Sequence, residues 1–80
     1  MISPEQAREK IWSRVAEAGP YRLAARAGVS PSILYQYRDG ARLGRASVTA
    51  LAPYMPDLEA EVWLAAMGVA LPEAQAEVGQ

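Results

Sequence analysis

The sequence predicts a small all-α domain, and three features of the chain support this. Alanine, the best helix former, is abundant. Apolar residues recur at helical spacing in successive segments that Gly and Pro separate, and no segment alternates apolar and polar residues as a half-buried strand would. A chain of 80 residues supports one domain. We expect a compact five-helix domain over residues 1–71 and a short, flexible polar tail over residues 72–80.

The first helix is predicted to begin with Ser3 as N-cap and Pro4 at the first helical position, because both residue types favour helix starts. Its inward stripe recurs at helical spacing and consists of Ala7, Ile11, Val15 and Ala18. Gly19 and Pro20 are expected to end this helix and begin the second, which covers about residues 20–27.

A tight turn at Gly28 is predicted to join the second helix to a third. A residue with positive φ is expected at this turn, and only Gly adopts that conformation at low cost. Ser30 then suits the N-cap of the third helix and Pro31 its first position. The third helix is expected over about residues 31–38, followed by a loop over residues 41–44.

The last two helices are expected over about residues 45–55 and 56–67. The fourth carries a complete helical stripe of Val48, Leu51, Ala52 and Met55. Pro53 is expected to kink or fray its end, because proline cannot donate the hydrogen bond of a helix interior. Trp12 and Trp63 are expected to be core aromatics that hold the first helix against the fifth.

Charge is distributed unevenly along the chain, although the net charge is only −1. Residues 22–45 contain five arginines and one aspartate, a net charge of +4. Residues 46–80 contain five acidic residues and no basic residue, a net charge of −5. Such asymmetry produces a local positive field on an acidic protein, as nucleic-acid binding requires.

The composition argues against an enzyme or a metal protein. The chain has no His and no Cys, so the commonest metal ligands and nucleophile–base pairs are missing. No apolar run approaches the ~20 residues that span a bilayer, and the N-terminus does not resemble a secretion signal. We therefore expect a cytoplasmic protein that is not an enzyme, has no cofactor or metal, and has no membrane partner.

Two short helices joined by a tight glycine turn must approach closely. This close approach requires a small residue on the helix before the turn and apolar inward residues on the helix after it. Here Ala24 is small, Gly28 forms the turn, and Leu34 and Tyr37 face inward. In this order the residues resemble the helix-turn-helix of the lambda-repressor-like, Cro-type and XRE-type family. The resemblance is densest over LAARAGVSPSILYQYRDG, residues 23–40, and extends over about residues 4–68. It implies a five-helix lambda-repressor-like domain whose third helix lies in the DNA major groove.

The resemblance also implies roles for individual residues. The base-contacting residues would be Ser30, Ser32, Ile33, Tyr35 and Gln36. The phosphate-contacting residues would be Arg22, Arg38, Arg42 and Arg45. The chain departs from the family at Pro31, where many members carry a DNA-contacting Gln, and at Asp39, where Asn or a basic residue is commoner. Asp39 would repel phosphate unless it turns towards Arg38 or Arg42.

Several of these residues have a second interpretation. Ser30 and Pro31 also suit helix capping without DNA contact. Arg22 equally suits an ion pair with a nearby acid such as Glu17. For Ser32 and Gln36 the alternative is plain solvent exposure, and for Arg42 and Arg45 it is a solvated charge. Ile33 and Tyr35 equally suit a protein-contact surface.

The fifth helix carries two apolar stripes, whereas a helix that packs only on its own core needs one. The first stripe consists of Leu58, Val62, Ala65 and Val69, and the second of Ala60, Leu64, Met67 and Leu71. We predict a homodimer through Leu64, Met67 and Leu71, with two recognition helices about 34 Å apart. The alternative is that the second stripe packs on Trp12 of the same chain.

The expected function is a sequence-specific double-stranded DNA-binding transcription regulator, of the kind found as small phage or prophage repressors. The alternative is a protein-interaction module on the same helical scaffold, such as an anti-repressor, an antitoxin or a factor that docks on transcription machinery. The acidic residues 46–80 and the apolar side chains of Ile33 and Tyr35 support this alternative.

Overall fold

The computed structural model describes residues 2–68, which form five α-helices and one short 3-10 helix. In chain order these are α1 (Pro4–Ala18), α2 (Pro20–Ala27), α3 (Pro31–Arg38), α4 (Arg45–Leu51), the 3-10 helix (Ala52–Tyr54) and α5 (Ala60–Ala66). No strand occurs within residues 2–68, so the predicted all-α fold class is confirmed. The expected tail over residues 72–80 lies outside the described residues.

The start of α1 is closed by a capping box, as the Ser-Pro sequence indicates. The Gln6 amide donates to Ser3 Oγ over 3.1 Å, and the Ser3 amide donates to Gln6 Oε1 over 2.9 Å. This reciprocal pair satisfies two of the backbone donors that a helix start otherwise leaves open. The buried stripe of α1 ends at Val15. Ala18 was expected to face inward, but it is exposed.

The turn between α2 and α3 has the predicted geometry. Gly28 has a φ of 77°, and its amide donates to the Ala24 carbonyl over 2.9 Å. A Cβ at Gly28 would meet no atom within 4 Å, so the backbone conformation, rather than crowding, calls for glycine. Both helices turn their expected residues inward, since Leu23, Ala24, Leu34 and Tyr37 are all buried.

Both later helices are shorter than the sequence predicts. The α-helical hydrogen bonds of α4 end at Leu51, and Pro53 lies within the 3-10 helix that follows. This is the expected effect of a proline that cannot donate to the preceding turn. The expectation that the fifth helix starts at Pro56–Asp57 is wrong, because it starts at Ala60. The Asp57 carboxylate pairs with Arg14 of α1 instead of capping a helix.

The core lies around α1, which packs against α2, α3 and α5. The most deeply buried large side chains are Ile11, Val15, Leu34, Tyr37 and Leu51. Trp63 is buried as expected, but Trp12 is only half-buried. The ring of Trp12 lies against Tyr35 of α3, so the expected role of Trp12 between α1 and α5 is corrected. Among the helices of residues 2–68, none has the length and apolarity that crossing a bilayer requires.

Candidate nucleic-acid interface

Helix α3 has one face fixed in the core and one open to solvent. Leu34 and Tyr37 are 0% and 1% exposed. Ser32 and Gln36 are exposed, and because they are four residues apart they lie on the same face of the helix. The two polar residues predicted to read bases are therefore brought together on the free surface of α3.

Two other base-contact candidates, the N-cap Ser30 and Ile33 in the first turn of α3, are more constrained. Ser30 is the N-cap, and its Oγ accepts a hydrogen bond from the Ser32 amide over 3.3 Å. Its hydroxyl can still donate, so capping and an outside contact are compatible. Ile33 is half-buried and packs against the core, which leaves only part of its side chain for a partner.

Tyr35 belongs to a group of rings that the sequence did not lead us to expect. The centroid of its ring lies 5.7 Å from that of Trp12 and 5.9 Å from that of Tyr21. We call Trp12, Tyr21 and Tyr35 the aromatic cluster. Tyr21 is 68% exposed, so this cluster reaches the surface beside α3. One feature of the sequence could have indicated this cluster: Trp12 lies beside the inward stripe of α1 and is not part of it.

Arg38 and Asp39 neutralise each other at the end of α3. The carboxylate of Asp39 accepts from Arg38 Nε over 3.0 Å and from Nη2 over 3.4 Å. The hydrogen bond and the charge of Asp39 raise the pKa of Arg38 above its usual value. The guanidinium carbon also lies 5.6 Å from the Trp12 ring centroid and 5.0 Å from that of Tyr35. Asp39 thus turns towards Arg38, one of the two arginines that the sequence analysis named as its partners.

The other three predicted phosphate-contacting arginines are exposed, and none of them forms an ion pair within residues 2–68. Arg22 lies in the first turn of α2 and does not pair with Glu17. Arg45 is the first residue of α4, and Arg42 lies in the preceding loop. That loop is anchored, because the Leu43 amide donates to the Ala66 carbonyl over 3.1 Å and the Leu43 side chain is buried.

Arg8 of α1 holds the end of α3, a role that sequence reasoning missed. Its Nε donates to the Tyr37 carbonyl over 2.8 Å, and its Nη2 donates to the Gly40 carbonyl over 3.2 Å. The guanidinium carbon lies 5.3 Å from the Tyr37 ring centroid. Burial raises the pKa of the Tyr37 hydroxyl to about 12, and the positive charge of Arg8 opposes part of this rise. Nothing in the spacing of basic residues on α1 distinguishes Arg8 beforehand.

The residues predicted for dimerisation are only partly described. Leu64 and Met67 are half-buried, and Ala60 on the same stripe is exposed. Leu71 lies outside the described residues. The ring of Trp12 contacts Tyr35 of α3, and both the homodimer and the intramolecular alternative stay predictions.

The site therefore combines two exposed polar side chains on α3 with unpaired arginines on the elements that flank it. Amide and hydroxyl groups can donate and accept hydrogen bonds, and guanidinium groups can bind anions in a forked geometry. Comparisons with protein-family models, curated proteins and solved structures find no match for this chain.

Proposed function

We propose that the chain is a sequence-specific double-stranded DNA-binding transcription regulator that reads the major groove with α3. The observation that carries this proposal is the division of α3 into a core face and an exposed face bearing Ser32 and Gln36. A helix of eight residues is roughly 12 Å long. Its exposed face is long enough to reach successive base pairs of one major groove.

The exposed side chains have the chemistry that base recognition uses. Gln36 can hydrogen-bond adenine through two atoms, and Ser32 can donate to or accept from a base edge. Ile33 keeps part of its apolar surface for a thymine methyl group. Tyr35 lies against other rings, so we assign it mainly to fixing the orientation of α3.

The phosphate contacts in this proposal come from Arg22, Arg42 and Arg45. Arg38 contributes less than the resemblance implies, because Asp39 already occupies its guanidinium. Phosphate contacts supply the affinity that is independent of sequence, and this affinity falls with rising salt.

A homodimer through Leu64 of α5, its C-cap Met67, and Leu71, which lies outside the described residues, completes the proposal. It would set two recognition helices about one DNA turn apart, roughly 34 Å. A regulator of this type, such as a phage or prophage repressor, would then read a two-fold symmetric site.

The test is a comparison of specific and random DNA by fluorescence anisotropy, with the preferred duplex first selected from a random pool. Gln36→Ala is expected to cost about 1–3 kcal/mol on the selected duplex and little on random DNA. Arg45→Ala is expected to weaken both similarly. Lys10→Ala removes the same charge from α1, and it serves as the control. Absence of binding at low salt, or binding that both Gln36→Ala and Arg45→Ala leave unchanged, rejects the proposal.

The aromatic cluster favours a second candidate, a protein-interaction module on the same scaffold. Aromatic and arginine side chains are enriched at protein interfaces, and Tyr21 lies exposed beside Tyr35, over whose ring the Arg38 guanidinium lies. Under this alternative, the isolated chain does not bind DNA, and Tyr21→Ala abolishes binding to the protein partner. Under the DNA proposal, Tyr21→Ala leaves the preferred sequence unchanged.

A further inference from the structure

We propose that a cavity between α1, α3 and α5 binds a phosphate group. The cavity has a volume of about 300 Å³, and its walls include Arg8, Tyr37, Gly40, Arg42 and Gly68. The phosphate is either a phosphodiester of bound DNA or part of a free phosphorylated compound. The site is defined by its two guanidinium groups, so it stands whether or not the chain binds DNA.

Charge is the first argument for an anion at this site. Arg8 and Arg42 both line the cavity, and among the described residues no carboxylate does. The hydrogen bonds of Arg8 go to two backbone carbonyls at the end of α3, which carry partial but no full negative charge, and Arg8 forms no ion pair within residues 2–68. A larger cavity between α1 and α5 differs in this respect, because its lining has four carboxylates and one cation and so disfavours anions; these residues are Glu9, Asp57, Glu59, Glu61 and Lys10.

The second argument is that Arg8 is held in position before a ligand arrives, and that Arg42 follows a loop whose backbone is anchored. The two carbonyls at the end of α3 orient Arg8. Arg42 lies directly over Gly68, where a Cβ would be 2.9 Å from Arg42 Cδ and 3.1 Å from Nε. The neighbouring Leu43 is tied to α5 by its amide. Such preorganisation reduces the conformational entropy that the side chains lose on binding.

The third argument is chemical fit. Guanidinium groups present planar forks of N–H donors that match the oxygen atoms of phosphate, and they stay charged at all working pH values. Arg8 uses Nε and Nη2 for the protein, so its remaining donors are available. Arg42 makes no hydrogen bond to the protein within residues 2–68. Two such cations beside one cavity form a phosphate site with contributions from α1 and from the loop before α4.

The experiment is a titration of the isotope-labelled protein with inorganic phosphate, at pH and ionic strength matched with chloride, followed by the amide NMR signals. Saturable shifts are expected at Gly40 and Gly68, which line the cavity. Arg42→Gln is expected to weaken this binding roughly tenfold, the effect of one charge-assisted hydrogen bond. Lys10→Gln removes the same charge elsewhere on α1, and it should leave the titration unchanged.

Arg42→Gln is the main test variant because the Arg42 side chain is exposed and makes no hydrogen bond within residues 2–68. Arg8→Gln is the second variant, and it is interpreted only if its circular dichroism spectrum matches that of the wild type. The same variants are then measured on random duplex DNA. If the phosphate belongs to DNA, Arg42→Gln lowers affinity for all sequences and reduces the salt slope by about one unit, whereas Lys10→Gln does not.

The outcomes separate this site from the proposed DNA function. Saturable, Arg42-dependent phosphate binding without any DNA binding supports a free phosphorylated ligand, even though the DNA proposal then fails. Arg42-dependent binding of both probes supports the DNA backbone as the source. If Arg42→Gln changes neither phosphate binding nor DNA affinity relative to Lys10→Gln, the phosphate site is overturned.

Discussion

The hydroxyl of Tyr37 makes Tyr37→Phe a stabilising substitution. The side chain is 1% exposed, and its Oη has no hydrogen-bond partner among the described residues. A buried polar group without a partner costs about 1–3 kcal/mol. Phenylalanine keeps the ring against the core and removes this cost. We therefore expect the free energy of unfolding to rise by about 1–2 kcal/mol, which corresponds to a melting temperature higher by roughly 4–8 °C per kcal/mol.

The same burial predicts a loss of stability at alkaline pH. The pKa of Tyr37 rises from 10.0 to about 12 on folding, because the buried site disfavours the phenolate. The folded chain therefore holds this proton more tightly than the unfolded chain does. Ionisation of Tyr37 leaves the free energy of unfolding unchanged below pH 10 and lowers it as the pH rises from 10 towards 12. The full decrease in the free energy of unfolding is roughly 3 kcal/mol. The Tyr37→Phe variant has no hydroxyl to ionise and should not show this decrease.

Thermal unfolding followed by circular dichroism at pH 8 and at pH 11 measures both effects. Tyr54→Phe is the matched control, because the Tyr54 hydroxyl is partnered and donates to the Arg26 carbonyl over 2.9 Å. Loss of that hydrogen bond at a half-exposed side chain should destabilise the fold by about 0.5–1 kcal/mol. If Tyr37→Phe lowers the melting temperature as Tyr54→Phe does, the Tyr37 hydroxyl is hydrogen-bonded and the reasoning fails.

Three further substitutions test the turn, the assembly and the charge arrangement. Gly28→Ala should destabilise the fold by about 1 kcal/mol in a thermal melt, since φ is 77° there; an unchanged melting temperature would contradict this assignment. Leu64→Glu should convert the proposed dimer to a monomer in sedimentation velocity, and a wild type already monomeric at high micromolar concentration rejects the dimer. Asp39→Asn should release Arg38 and steepen the salt dependence of DNA binding by about one unit; Glu9→Gln makes the same charge change on α1, and an equal effect there would contradict this assignment.

Local signals in the sequence were sufficient for the start and end of the first three helices. Ser3, Gly28 and Ser30 act through bonds to residues within a few positions, so their effect can be deduced from adjacent sequence. The same holds for Pro53, which changes the turn that directly precedes it. The start of α5 was misjudged because Asp57 pairs with Arg14, a distant residue on another helix.

The candidate site was less predictable, because its details depend on contacts between helices. The exposed positions of Ser32 and Gln36 follow from the helical period and the inward residues of α3. The contact of Trp12 with Tyr35 and the hydrogen bonds of Arg8 to the end of α3 require the relative placement of two helices. Periodicity within one helix carries no information about that placement.

The position of unpaired positive charge on the molecule therefore depends on the fold, and the net charge of one sequence segment does not predict it. Residues 22–45 carry a net charge of +4, but Arg38 and Asp39 form one neutral pair, and so the free cations at α3 are fewer than the five arginines suggest. Arg8 comes from α1, and the fold brings it to the same end of α3, where it lines one cavity with Arg42. Because the carboxylate of Asp39 offsets the charge of Arg38, the positive charge around the end of α3 comes from Arg8 of α1 as well as from arginines that are near α3 in the sequence.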